Sequence, residues 1–262
     1  MSDAAYIAIS LAIPFLGTVL GGTVVFFLKK KIPPTIEKTL LGFAGGIMVA
    51  AAFFSLLVPS LEDSKSLGDL SILPPLIGFA CGIGMMLLID TLLPHLHPRA
   101  KTPEGLPSRA SKTSLMVLAI AIHNFPEGLT VGVGLAAAVS GHEVFTFMGA
   151  LSLAIGIAIQ NFPEGAVVSL PLSHEGYSKW KAFGLSALSG AIEPLAALLA
   201  LAIAPYITPA LPYLLSFAAG AMIYVVVEEL VPEMQEGGHT NLPTIGFAVG
   251  FALMMVLDVV IG

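Results

Sequence analysis

The sequence predicts an all-α, polytopic membrane protein with eight transmembrane helices. Three observations predict it. The 262 residues are 56% hydrophobic and only 11% charged, against about 25% charged in soluble domains. The apolar residues gather into eight runs near the roughly 20 residues that a helix needs to cross a bilayer. Lysine and arginine fall almost wholly in alternate connections. The 27 glycines and 19 prolines agree, since both are more frequent in membrane helices than in soluble ones.

The eight runs are about 5–28, 39–59, 73–93, 114–138, 145–170, 180–203, 211–231 and 243–261. The first follows Met1-Ser2-Asp3, which lacks a basic leader, so it reads as a retained span. The connections are short and rich in Pro, Gly and charge, which leaves 1–262 as a single transmembrane domain. The longest, 94–112, holds four prolines and mixed charge. Basic residues set the orientation. Lys29, Lys30, Lys31 and Lys38 lie in or beside the connection between spans 1 and 2. Arg99, Lys101, Arg109 and Lys112 lie between spans 3 and 4, and Lys179 and Lys181 at the connection between spans 5 and 6; only Lys65 falls on the other side. The positive-inside bias therefore predicts both termini on the extracytoplasmic side of a cell (inner) membrane.

Net charge is −6 with no basic tract, which argues against nucleic acid as a partner. The single cysteine, Cys81, excludes an intrachain disulfide framework and a cysteine-cluster metal site. No cofactor is implied.

One phrase is written twice at membrane depth. His123-Asn124-Phe125-Pro126-Glu127-Gly128 lies in span 4, and Gln160-Asn161-Phe162-Pro163-Glu164-Gly165 lies in span 5. On a helix His123 and Glu127 are i and i+4 and share a face, as do Gln160 and Glu164. Span 4 runs outward and span 5 inward, so both phrases meet near the midplane, and Glu193 of span 6 reaches a similar depth. A charge there costs about 2.5–3.5 kcal/mol on insertion scales. A bound cation, or protonation of the glutamates, would compensate three of them. Pro126, Pro163 and Pro194 each remove a backbone donor beside a carboxylate, a device tolerated where helices line a cavity. Imidazole, carboxylates and amides together suit Zn²⁺, Fe²⁺, Mn²⁺ or Co²⁺. Two facing glutamates could bridge two ions.

Weaker candidates surround this cluster. Met48 in span 2 is a soft ligand or packing. Ser55 can line a path. Glu62 and Asp258 lie near the outer ends of spans 2 and 8 and would concentrate cations there. Asp90, Glu228 and Glu229 lie near the inner ends of spans 3 and 7, and His95 and His97 in the loop beyond. Gly42, Gly45 and Gly46, Gly78, Gly82 and Gly84, and Gly128, Gly132 and Gly134 permit close helix packing.

The two phrases, with their preceding residues Ala121-Ile122 and Ile157-Ala158-Ile159, and Ser169-Leu170-Pro171-Leu172 after the second, resemble the ZIP (Zrt/Irt-like) family of divalent metal transporters, in its GufA-like branch. The eight-span layout agrees. The resemblance implies a 3+2+3 arrangement with inverted-repeat pseudo-symmetry, spans 1–3 and 6–8 being related and spans 4 and 5 between them. It implies a two-metal site at His123, Asn124, Glu127, Gln160, Asn161, Glu164 and Glu193, with Met48 matching a span-2 ligand. Glu62, Ser55 and Asp258 match positions on the outer access side, and Glu228 an inner release position. Transport by helix-group sliding in a homodimer is implied too. Asn161 stands where close relatives often have Asp, so a second site carries one negative charge fewer. Glu228 stands where some relatives have His.

The expected function is import of divalent ions, Zn²⁺ first and then Fe²⁺, Mn²⁺, Co²⁺ or Cd²⁺, into the cytoplasm by alternating access. Two other classes compete. An intramembrane metal hydrolase is disfavoured by the lack of His-Glu-x-x-His. A proton- or sodium-coupled carrier of an organic substrate would show more aromatic lining than Phe125 and Phe162 supply.

Overall fold

In the computed structural model, residues 2–28, 32–96, 102–141, 145–203, 210–238 and 240–262 are described. Among the described residues, eight helices are long and apolar enough to cross a membrane: Asp3–Phe27, Pro34–Asp63, Leu73–Leu92, Lys112–Val139, Phe147–His174, Lys179–Ile203, Leu211–Gln235 and Leu242–Ile261. These are spans 1 to 8, and they fall on the eight runs expected from the sequence. Among the described residues there is no strand, only an isolated antiparallel bridge between His95 and Glu104.

Local chemistry starts the three helices that carry the doubled phrase and Glu193. Ser111, Thr146 and Ser178 precede spans 4, 5 and 6, and each side-chain oxygen accepts from a backbone N–H three residues on. Spans 4 and 5 continue as unbroken helices through Pro126 and Pro163. Span 6 breaks at Ala191, two residues before Glu193. Spans 2 and 7 each widen into a π-helical stretch, Ala51–Leu57 and Val226–Leu230, shortly before Pro59 and Pro232. Proline removes a helical hydrogen bond, and one-turn π-bulges recur at functional sites.

Glycine decides which helices pair. Gly46 of span 2 lies so close to span 8 that a Cβ would stand 2.0 Å from the carbonyl oxygen of Phe247. Gly250 of span 8 stands the same way against Phe43. Spans 3 and 7 repeat the arrangement, with Gly82 against Phe217 and Gly220 against Phe79. Gly17 and Gly21 bring span 1 onto span 5, and Gly128 and Gly132 bring span 4 onto span 6. The close pairs are therefore 1–5, 2–8, 3–7 and 4–6. The match between pairs 2–8 and 3–7 has a sequence counterpart: Ile77-Gly78-Phe79-Ala80 and Gly82 in span 3 recur as Ile245-Gly246-Phe247-Ala248 and Gly250 in span 8. Met86 and Asp90 likewise recur as Met254 and Asp258.

Spans 4 and 5 are the most buried, and spans 3 and 8 the least. Leucine, isoleucine and valine point outward over much of spans 3 and 8, as expected for helices against hydrocarbon chains.

Gly82→Ala should lose about 1–3 kcal/mol through overpacking against a backbone carbonyl. Gly84→Ala should lose nothing, because no atom lies within 4 Å of its Cβ position. Thermal unfolding of both variants in detergent checks this, and equal midpoints would contradict it.

Candidate metal centre

Span 4 supplies His123, Asn124 and Glu127, span 5 supplies Gln160, Asn161 and Glu164, and span 6 supplies Glu193. The structure brings all seven into the interior, each no more than 8% exposed. His123, Glu127 and Glu164 can offer one ligand atom apiece with all three atoms within 4.8 Å of one another. His123 Nε2 lies 3.8 Å from Glu127 Oε1 and 3.5 Å from Glu164 Oε1. Its Nδ1 lies 3.2 Å from Glu229 Oε2 of span 7, so the imidazole sits between three carboxylates on three helices.

The amides are held partly by backbone carbonyls and partly by carboxylates of the cluster itself. Asn124 Nδ2 donates to the carbonyl of Ser189 at 3.3 Å. Asn161 Nδ2 donates to Glu193 Oε2 at 2.8 Å and to the carbonyl of Pro14 at 3.3 Å. Gln160 Nε2 donates to Glu127 Oε1 at 2.5 Å. Thr18 Oγ1 of span 1 donates to Glu193 Oε1 at 2.9 Å.

With the N–H groups spent on these partners, lone pairs are left over. His123 Nε2, Asn124 Oδ1, Glu127 Oε2, Gln160 Oε1, Asn161 Oδ1 and Glu164 Oε1 are all buried and make no hydrogen bond. Buried polar atoms are otherwise almost always satisfied, so such a gathering requires a reason. Each of these atoms is of a type that ligates a divalent ion. The donor set therefore fits a cation.

A cavity of about 60 Å³ opens beside this cluster, lined in part by His123, Glu164, Glu229 and Glu233. A larger one of about 320 Å³ shares Val167 and Glu233 with it and adds Glu37, His174 and Glu175. Both lie toward the start of span 2 and the ends of spans 5 and 7, the end that carries the basic connections.

The outlying candidates separate. Met48 is fully buried in the apolar core with Ile122 and Ile157. Ser55 Oγ donates to Asp258 Oδ1 at 2.6 Å, which brings together two residues far apart in sequence. Glu62 is exposed and pairs with Lys65. Of the two adjacent glutamates of span 7, Glu229 contacts His123 and Glu228 is exposed. The π-helical stretch at Val226–Leu230 sets that register. Asp90 Oδ1 lies 3.2 Å from His95 Nε2. The bridge from His95 N to the carbonyl of Glu104, and back from Glu104 N, adds Glu104 to that pair. His97 lies outside the described residues.

Sequence reasoning did not single out Thr18, Glu104 or Glu233. Glu233 follows Pro232 in a stretch that reads as a connection, and Thr18 sits in an apolar run with no local mark of its role. The recurrence of Asp90 as Asp258 within the repeated segments is a signal present in the sequence.

Residues 108–258 match the family model described as "ZIP Zinc transporter". The chain is 37% identical to the human "Zinc transporter ZIP11", over 85% of this chain and 87% of that protein. It is 35% identical to "Zinc transporter ZIPB" of Bordetella bronchiseptica, over 98% of this chain and 82% of that one. It is 37% identical to "Zinc transporter GufA" of Myxococcus xanthus, over 85% and 86%. These are names of transporters, not of enzymes. With the doubled phrase, the eight apolar helices and a match over more than half its length, the chain belongs to the ZIP zinc transporter family.

Proposed function

We propose that this protein carries divalent transition-metal ions, Zn²⁺ foremost, across the cell membrane into the cytoplasm, with His123, Glu127 and Glu164 as the core of the site. The observation that carries the reading is the set of six buried lone-pair atoms without hydrogen bonds around those residues. In a membrane interior they would be a large uncompensated loss. One divalent ion among them satisfies several at once and neutralises two carboxylates. Gln160 orients Glu127, and Asn124 turns its carbonyl oxygen inward because its amide nitrogen is held by Ser189. The names of the relatives in human, Bordetella and Myxococcus support zinc. The same donor set also suits Fe²⁺, Mn²⁺, Co²⁺ and Cd²⁺.

The route runs from the Ser55–Asp258 end to the centre and leaves past Glu229 and Glu233. The two cavities beside the cluster support an exit there, since they reach toward the end bearing the basic connections. Both termini then lie outside. The Asp90–His95–Glu104 group is a second point near that inner end where an ion can pause. Alternating access in a 3+2+3 arrangement draws support from the pairing. Exchanging spans 1 with 6, 2 with 7, 3 with 8 and 4 with 5 converts pair 1–5 into 6–4 and pair 2–8 into 7–3. The outward apolar faces of spans 3 and 8 suit lipid or a second copy in a homodimer.

In proteoliposomes, the wild-type protein should take up Zn²⁺, and Glu127→Ala or Glu164→Ala should reduce uptake to that of protein-free vesicles. Wild-type rates in either variant would refute the site. Independently, Zn²⁺ at about 100 times its Kd should stabilise the purified protein by about 2.7 kcal/mol, seen as a rise in unfolding temperature. Glu62→Ala should keep that rise and Glu127→Ala should lose it.

A further inference from the structure

We infer that the centre holds a single divalent ion, because Thr18 and Asn161 hold Glu193 in a hydrogen-bonded clasp apart from the mutually close ligand group of His123, Glu127 and Glu164. This deepens the transporter reading and rests on it. Three carboxylates and three side-chain amides reach the centre, enough oxygen for two ions. They are not equivalent.

Both oxygens of Glu193 are engaged. Thr18 Oγ1 donates to one at 2.9 Å and Asn161 Nδ2 to the other at 2.8 Å. The amide orientation of Asn161 follows from its partners. The same nitrogen lies 3.3 Å from the carbonyl of Pro14, which can only accept, and so does an ionised carboxylate. The NH₂ group therefore faces Pro14 and Glu193, and its positive end lies where an ion bridging residue 161 to Glu193 would sit. Packing holds the clasp. A Cβ on Gly165 would stand 2.2 Å from the carbonyl oxygen of Thr18, and one on Gly128 would stand 2.2 Å from that of Glu193. Spans 1 and 6 are thus pressed backbone-close onto spans 5 and 4 at the level of the clasp.

The other side differs. Glu127 Oε2, Glu164 Oε1 and His123 Nε2 make no hydrogen bond. Two carboxylates balance one divalent ion. A second ion beside Glu193 would lie where that carboxylate already accepts from an O–H and an N–H donor and where the Asn161 amide presents its NH₂ group rather than its oxygen. Donor geometry favours one ion, held by His123, Glu127 and Glu164.

The test counts zinc in the purified full chain. Elemental analysis after equilibration with Zn²⁺ and desalting compares wild type with Glu127→Ala/Glu164→Ala, Asn161→Asp and Glu193→Gln. One ion per chain should disappear in the double variant. Asn161→Asp, which removes the donor and adds a charge, should gain one. Glu193→Gln should keep the wild-type count, with zinc affinity changed less than about threefold, where loss of a direct ligand would change it tenfold or more. Loss of two ions in the double variant, or no gain in Asn161→Asp, overturns the inference and leaves the transporter site standing. Loss of none overturns both. Should a variant fail to fold, zinc X-ray absorption on the wild type decides alone, since a Zn–Zn distance of about 3.5–4 Å, the spacing of two-metal sites, would overturn the single-ion centre.

Discussion

Three carboxylates buried in an apolar bundle set the terms for the rest of this structure. Glu127, Glu164 and Glu193 lie in the interior of spans 4, 5 and 6, where an unpaired charge costs several kcal/mol. No lysine or arginine follows Lys181 in the sequence, and none lies between Lys112 and Lys179. Compensation comes from elsewhere. Glu193 draws on the hydroxyl of Thr18 and the amide of Asn161. Glu127 draws on the amide of Gln160 but keeps one oxygen free of hydrogen bonds, as does Glu164. The same phrase, written twice, thus yields one carboxylate on each helix left available for a cation.

Positioning these groups depends on helices lying unusually close. Gly128 and Gly165 end the two copies of the phrase, and each faces a backbone carbonyl across the helix contact. Spans 4 and 6 are joined there, and so are spans 5 and 1. Spans 2 with 8 and 3 with 7 use the same device with Gly46, Gly250, Gly82 and Gly220. His123 reaches out of the first set to Glu229 of span 7 in the second. An ion at the proposed site would sit where two sets of closely paired helices meet, a place where binding can bias a conformational equilibrium.

The centre was legible because helical periodicity operates within a single segment. His123 and Glu127 share a face whatever the neighbours do, and a carboxylate in an apolar run identifies itself. The Ser55–Asp258 contact was half legible: both residues stood out as outer polar positions, but no local rule links them. The choice between Glu228 and Glu229 was not legible, since a π-helical stretch changes which of two adjacent side chains faces inward. Glu104 needed the bridge to His95 to become part of a cluster with Asp90.

Composition, run length and charge bias determined by themselves that the chain forms eight membrane-length helices, and the doubled phrase determined which residues crowd the centre. The tertiary structure decided what those residues do to one another. Thr18 with Glu193, His123 with Glu229, and Ser55 with Asp258 are brought together across 175, 106 and 203 positions. The sequence carries no local period over such separations. The glycine contacts that select each helix's neighbour also select which amide hydrogens are spent on backbone carbonyls, and hence which lone pairs remain for an ion.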